Sequence, residues 1–389
     1  MRILIVLTYF RPHISGLTIY VQRLARALVN RGHQVTVLTS QYDKSLPREE
    51  IIDGVHIVRA PVLLRISKGV IMPTFGYLAW KLVLKHDIIH LHLPQFDAAG
   101  VALRGRLLKK PTVISYHSDL KLPPGLFNRL ANQVVHLMNF LAGIFTHRIG
   151  AYTEDFANHS PYLRLFSKKV DVILPPVELP EINLDDVSDF AQTHNPQKKN
   201  PVIGMATRFA SEKGVEILLE ALSKIFEQQP DAMVLYAGQY QDVMGEEAYL
   251  QRLLPKIRAY IAKGQWKFLG TLNPAQMAAF YPNLDVLVVP SLNSTETFGL
   301  VQIEAMMNGV PTVASDLPGV RQPPLMTGMG EVVTIGDADH LAQAVLKIIN
   351  HPENYQGNPD EIAHTFSPDL NAAAYEKMYQ DLMRELSAS

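Results

Sequence analysis

Short apolar runs separated by helical patterns occur twice along this chain, and that alternation limits the fold more than any other feature. RILIVL (2–7), QVTVLTS (34–40), GVHIVRAP (54–61), DIIHLHLP (87–94) and KPTVISYH (110–117) read as strands. RIGAYT (148–153) and VDVILPP (170–176) extend the series. Between the first two, YVQRLARALVNRGH (20–33) sets Val21, Leu24, Ala25 and Leu28 at helical spacing and closes on Arg31 and Gly32, a helix C-terminal signal. Further helices are expected near 74–86 and 97–108, and a long apolar one from about 125 to 148. Parallel neighbours need a crossover, usually helical, and both sheet faces must then be covered. The pattern therefore specifies an α/β fold with parallel sheets.

The segment ELPEINLDDVSDFAQTHNPQKKN (178–200) interrupts the rhythm; its Pro, Asn and Asp read as a linker with little core. The pattern then restarts with PVIGMATRF (201–209), a strand and turn, and VEILLEALSKIFEQQP (215–230), an amphipathic helix closed by proline. AMVLYAG, KFLGTL, LDVLVVPSL and VPTVASD supply four more strands. The expected architecture is two Rossmann-like doubly wound domains facing a cleft. Residues 1–178 form the first, 179–200 the linker and 201–368 the second. Residues 369–389 hold a last helix long enough to pack back on the first domain.

The chain has no cysteine, so disulfides and thiolate metal sites are excluded. MRILIVLTYF at the start lacks the h-region and cleavage site of a signal peptide and reads as a buried strand. No run reaches the ~18 uncharged apolar residues of a membrane span. A cytoplasmic protein with no nucleic-acid partner is expected. Charge is divided unevenly: residues 1–180 carry 22 Lys and Arg against 11 Asp and Glu, and residues 181–389 carry 14 against 26. The two halves are expected to face different partners.

Two stretches carry chemistry. In STETFGLVQIEAMMNGVPTVASDLPG (294–319), Glu296 and Glu304 sit in a mostly apolar strand–loop–helix segment. Ligands of doubly wound sheets bind at the carboxyl ends of strands. The amides of Phe298, Gly299 and Leu300, at the start of the helix, lack intrahelical partners and suit an anion. A carboxylate accepts two hydrogen bonds at once, which matches a vicinal diol. On spacing alone, a helix-start glutamate followed by a solvated one fits as well. In MATRFASEKGVEIL (205–218), Arg208 and Lys213 follow a strand and Gly214 precedes a helix, so two cations stand where a diphosphate could be neutralised. A solvated lysine and a salt-bridged arginine fit that spacing too. His90 and His92 share one strand face and could ligate a metal, but with no third ligand nearby a packing role is the expectation. No Asp-x-Asp metal triplet stands in a suitable context.

Together these stretches resemble the retaining GT-B glycosyltransferases of family 4. The resemblance covers nearly the whole chain. It includes ISGLTIYVQRLARALVNRGHQVTVLT, DIIHLH, YHSD, the Arg-x4-Lys-Gly loop and, most specifically, Glu-x7-Glu with TFGL. It implies that Glu304 binds the ribose hydroxyls and that Glu296 holds hydroxyls of the transferred sugar. The amides of Phe298, Gly299 and Leu300 would lie near sugar and phosphates, and Arg208 and Lys213 on the diphosphate. Gly16 would let the N-terminal loop approach the phosphates, and His117 would sit against the donor sugar. The family often has Gly-Gly at Ser15-Gly16 and Gly-Arg at Thr207-Arg208; the first departure makes the loop stiffer. The implied reaction moves a hexose-type sugar from a UDP- or GDP-linked donor to a hydroxyl of a glycan, lipid or small molecule, with no metal and no other cofactor. A sugar-nucleotide 2-epimerase and a non-catalytic sugar-nucleotide-binding subunit share the fold and stand as alternatives. Basic clusters beside apolar residues at 63–72, 103–110 and 120–145 add a further expectation: peripheral docking of the first domain on an anionic membrane at its inner face, with a lipid-linked or membrane-proximal acceptor.

Overall fold

The structure, a computed structural model, describes residues 1–66, 69–120 and 126–388. It divides into two compact units, Met1–Pro176 with Phe366–Ser389, and Val177–Thr365.

The first unit is built on β1 (Arg2–Val6), β2 (Gln34–Gln41), β3 (Glu49–Ile52), β4 (Val55–Pro61), β7 (Ile88–Leu93), β8 (Thr112–Tyr116), β9 (Arg148–Ala151) and β10 (Val170–Val172), with a separate hairpin of β5 (Leu64–Ile66) and β6 (Gly69–Ile71). The main sheet runs β10-β9-β8-β7-β1-β2-β4-β3 and is parallel except for β3 against β4. Residue Leu4 of central β1 lies opposite Thr36 of β2 and Ile89 of β7. Helices α2 (Phe75–Lys85), α3 (Ala98–Leu107) and α4 (Leu126–Phe145) share one core with Leu4, Val6, Leu91, Ile114 and Tyr116. The alternate residues His90, His92 and Ser115 meet α1 (Gly16–Asn30) and the C-terminal helix Pro368–Ser387 instead. Period-two side-chain alternation thus sends the apolar residues to one helical layer and the imidazoles to the other.

The strand series of the sequence is present. The edge strand β3 and the β5–β6 hairpin add to it; their few alternating residues carry little signal. Helix α1 begins four residues before the apolar stripe suggests, because Ser15 caps it. The Ser15 hydroxyl accepts from the Thr18 amide, and Thr18 returns a bond to the cap. Lys121–Gly125, which hold the expected start of the long apolar helix, lie outside the described residues, as do Ser67 and Lys68.

The second unit carries β11 (Val202–Ala206), β12 (Met233–Ala237), β13 (Trp266–Gly270), β14 (Val286–Val289), β15 (Thr312–Ser315) and β16 (Gly330–Val333), all parallel, in the order β13-β12-β11-β14-β15-β16. The segment 179–200, expected as a linker with little core, falls within the second unit and holds the helix Leu184–His194, capped reciprocally by Asn183 and Asp186. Phe190 of that helix is buried with Val202, Phe280 and Leu284. The polar composition belongs to a solvated helix held down by one aromatic anchor, which periodicity in eleven residues does not reveal.

Candidate active site

The order of the second sheet reverses between β11 and β14: the chain leaves β11 toward β12 on one side and later resumes at β14 on the other. Such a switch point leaves a crevice at the carboxyl ends of the two strands. The loops that follow them are the two stretches singled out above, residues 207–214 and 290–299. Their contact is fixed by a glycine. Gly214 has φ +70°, and a Cβ there would stand 2.0 Å from the Pro290 carbonyl oxygen. With that close approach allowed, the Leu292 amide donates to the Glu212 carbonyl at 2.9 Å.

The result is an ion pair across the switch point. Lys213 Nζ donates to Glu296 Oε2 at 2.6 Å, with side chains only 14% and 22% exposed. Asn293 shapes the turn before Glu296, its Oδ1 accepting from the Thr295 amide at 3.0 Å and hydroxyl at 2.7 Å. Arg208 pairs with Glu212 on the more open side of the same loop. Both cations are therefore held by carboxylates, and an incoming anion would compete with Glu296 and Glu212 for them.

Glu304 lies in the second turn of the helix Leu300–Met306, as its spacing implies. It is 7% exposed, which excludes the solvated alternative. The Tyr281 hydroxyl donates to its Oε2 at 2.6 Å. Phe298 lies before the helix rather than in it, and Gly299 caps the helix in the left-handed region, φ +76°. Gln302 holds this segment in place. Fully buried, it donates from Nε2 to the carbonyls of Phe298 at 2.8 Å and Val320 at 2.9 Å, and its Oε1 accepts from Thr312 at 3.1 Å. Gln302, Tyr281 and Glu212 escaped the sequence reading. A lone amide on an otherwise apolar helix face was the one available signal, for Gln302.

The structure thus brings Arg208, Lys213, Glu296, Phe298, Gly299, Leu300 and Glu304 onto the loops of one switch point. Gly16 and His117 belong to the first unit. Gly16 is the first residue of α1 rather than part of a loop, with open space where a Cβ would project. His117 follows β8, and its ring is engaged on both nitrogens, Nε2 with His92 Nδ1 at 2.8 Å and Nδ1 with the Tyr152 hydroxyl. His90 stacks on His92 at 4.4 Å between centroids and bonds Ser115 and Tyr379 at 2.8 and 2.6 Å. Burial pushes the pKa of His90 and His117 down to about 3 and that of His92 well below its usual value, so all three imidazoles are neutral. Among the described residues no group of three His, Cys, Asp or Glu is placed to hold a metal ion.

Two family models match this chain, Glycosyltransferase Family 4 over residues 14–179 and Glycosyl transferases group 1 over residues 186–363. The chain belongs to these group 1, family 4 glycosyltransferases and is a glycosyltransferase of GT-B fold, with two Rossmann-like domains. It is 25% identical over 399 residues to the phosphatidyl-myo-inositol mannosyltransferase of Mycolicibacterium smegmatis, spanning 98% of this chain and 94% of that protein. A protein of Methanocaldococcus jannaschii described as an uncharacterized glycosyltransferase is 28% identical over 345 residues, 83% of this chain and 82% of its own. Among solved structures, Anabaena HepE in complex with UDP-glucose covers all of both chains with a TM-score of 0.76 at 18% identity, a likeness of fold.

Proposed function

We propose that this glycosyltransferase moves a hexose from a UDP- or GDP-linked donor to an acceptor hydroxyl with retention at the anomeric carbon, without a metal. The carrying observation is the Lys213–Glu296 pair at the switch point of the second unit, with Glu304 bonded to Tyr281 on the helix behind it. A donor diphosphate would take Lys213 and Arg208 from their carboxylates. Glu296, released, would accept from hydroxyls of the sugar, and Glu304 from the ribose. The C1–phosphate bond breaks as positive charge develops at the sugar and negative charge on the diphosphate, where fixed cations act best. The acceptor oxygen bonds C1 from the same face, and its proton passes to the departing phosphate oxygen. A two-carboxylate double displacement would need a nucleophile, and Glu304, buried on a helix against Tyr281, is poorly placed as one.

A thermal-shift panel of UDP, GDP, ADP and their sugars tests the donor. A true ligand at a hundredfold excess over Kd stabilises by about 2.7 kcal/mol, and no shift with any of them would contradict the reading. Glu304→Ala should mainly weaken the bare nucleoside diphosphate, whereas Glu296→Ala should leave that affinity largely intact and cut transfer. Calorimetry and turnover on both variants check this, and equal affinity losses would overturn the division of roles. Activity should survive excess EDTA, because side chains supply the positive charge; loss restored by Mg²⁺ or Mn²⁺ would refute it.

The acceptor we propose is lipid-linked or membrane-proximal, reached from the cytoplasmic face by peripheral association. The name of one relative supports this, the phosphatidyl-myo-inositol mannosyltransferase above. Among the described residues no helix is long and apolar enough to cross a membrane.

A further inference from the structure

We infer that the outer face of α2, α3 and α4 docks on an anionic lipid bilayer. The inference rests on the membrane-proximal acceptor proposed above and names the surface that would reach it. The three helices lie side by side. Their inner sides, Phe75, Ala79, Ala98, Val101 and Ala142 among them, share the core of the sheet. Their outer sides do not resemble solvated helix faces. Trp80 and Leu84 on α2, Leu107 on α3, and Leu137, Phe140 and Ile144 on α4 are all exposed, Leu107 to 67%. None of the three helices contains an Asp or Glu, while Lys81, Lys85 and Arg106 stand exposed among the apolar side chains. The Lys81 ammonium stands 4.5 Å above the Tyr77 ring.

A water-facing helix commonly mixes both charge signs, and large apolar side chains gain nothing there. A second copy on a two-fold axis would set this cationic face against itself, which like charges oppose. A bilayer of anionic lipid answers both features: apolar side chains enter the headgroup boundary, and cations meet phosphate. The wider charge distribution agrees. The first unit carries 24 Lys and Arg against 14 Asp and Glu, and the second 12 against 23.

Tryptophan provides the readout, since of the two in the chain Trp80 is 42% exposed and Trp266 is buried. The full chain is mixed with vesicles of phosphatidylcholine, alone or with phosphatidylglycerol. We expect co-sedimentation and a blue shift of emission with the anionic vesicles only, both declining as salt is raised. Trp80→Phe should abolish the shift while the protein still sediments. Lys81→Glu combined with Lys85→Glu should lower partitioning on the order of tenfold or more. These exposed substitutions should leave nucleoside-diphosphate binding unchanged, which confirms folding and separates this inference from the donor reading. Vesicle binding with no nucleoside-diphosphate binding would strike the donor reading and support this one. Equal binding to neutral vesicles, no binding, full binding by the charge-reversed variant, or a lipid-free dimer that shields Trp80 would each overturn it.

Discussion

Lys213→Ala is expected to lower turnover by about 10²–10³-fold, the effect of losing one preorganised donor to a developing negative charge. Affinity for the bare nucleoside diphosphate should fall by less, because the charge that Lys213 meets grows as the leaving group departs. Lys213 is held between the left-handed Gly214 and the Pro290–Leu292 segment, 2.6 Å from Glu296. Its removal leaves that carboxylate uncompensated where the phosphates are proposed to lie. Arg208→Ala should act in the same direction from the more exposed side, where Glu212 now orients the guanidinium. Single-turnover kinetics with calorimetry on both variants measure the split, and near-normal kcat in both would remove these cations from catalysis.

The second large effect is on stability toward acid. His90, His92 and His117 are neutral in the fold with depressed pKa values, whereas in the unfolded chain each binds a proton near its ordinary value of 6.5. Between 6.5 and about 3 the unfolded state therefore holds protons that the native state refuses. Stability from these groups is complete above 6.5 and falls as pH drops. One proton difference is worth about 1.4 kcal/mol per pH unit, so three approach about 4 kcal/mol per unit. Asp97, raised by burial to about 6, opposes this with one proton below that pH. A domain is stable by only about 5–15 kcal/mol, so a net difference of about two protons, about 3 kcal/mol per pH unit, removes a large part of that margin as pH falls. Urea denaturation followed from pH about 7.5 to 5 checks it, and a flat profile would mean that the imidazoles are hydrated or charged in the native state.

Much of this was legible in the sequence for physical reasons that differ by feature. The parallel strands were readable because both faces are covered, so each is a nearly continuous apolar run. The switch-point residues were readable because glycine, cation and carboxylate types stand out against that apolar background. The helix Leu184–His194 was not, since a single buried phenylalanine gives no period. Nor was the pairing of Lys213 with Glu296, 83 residues away, because a long-range ion pair leaves no trace in composition, whereas a salt-bridged Arg208 was among the readings its spacing allowed. The histidine network was visible only as HLH; its partners Tyr375 and Tyr379 come from the far end of the chain. The capping role of Ser15, which moves Gly16 from a loop into α1, needed the backbone itself.

The most direct test of the donor assignment is incubation of the purified protein with UDP-hexose and GDP-hexose, without acceptor and in EDTA, followed by mass spectrometry. Slow release of nucleoside diphosphate and free hexose from one donor, lost in Lys213→Ala, is the predicted result. A donor returned as its isomer would assign an epimerase, and donors recovered wholly intact would leave a binding protein; either would contradict the account.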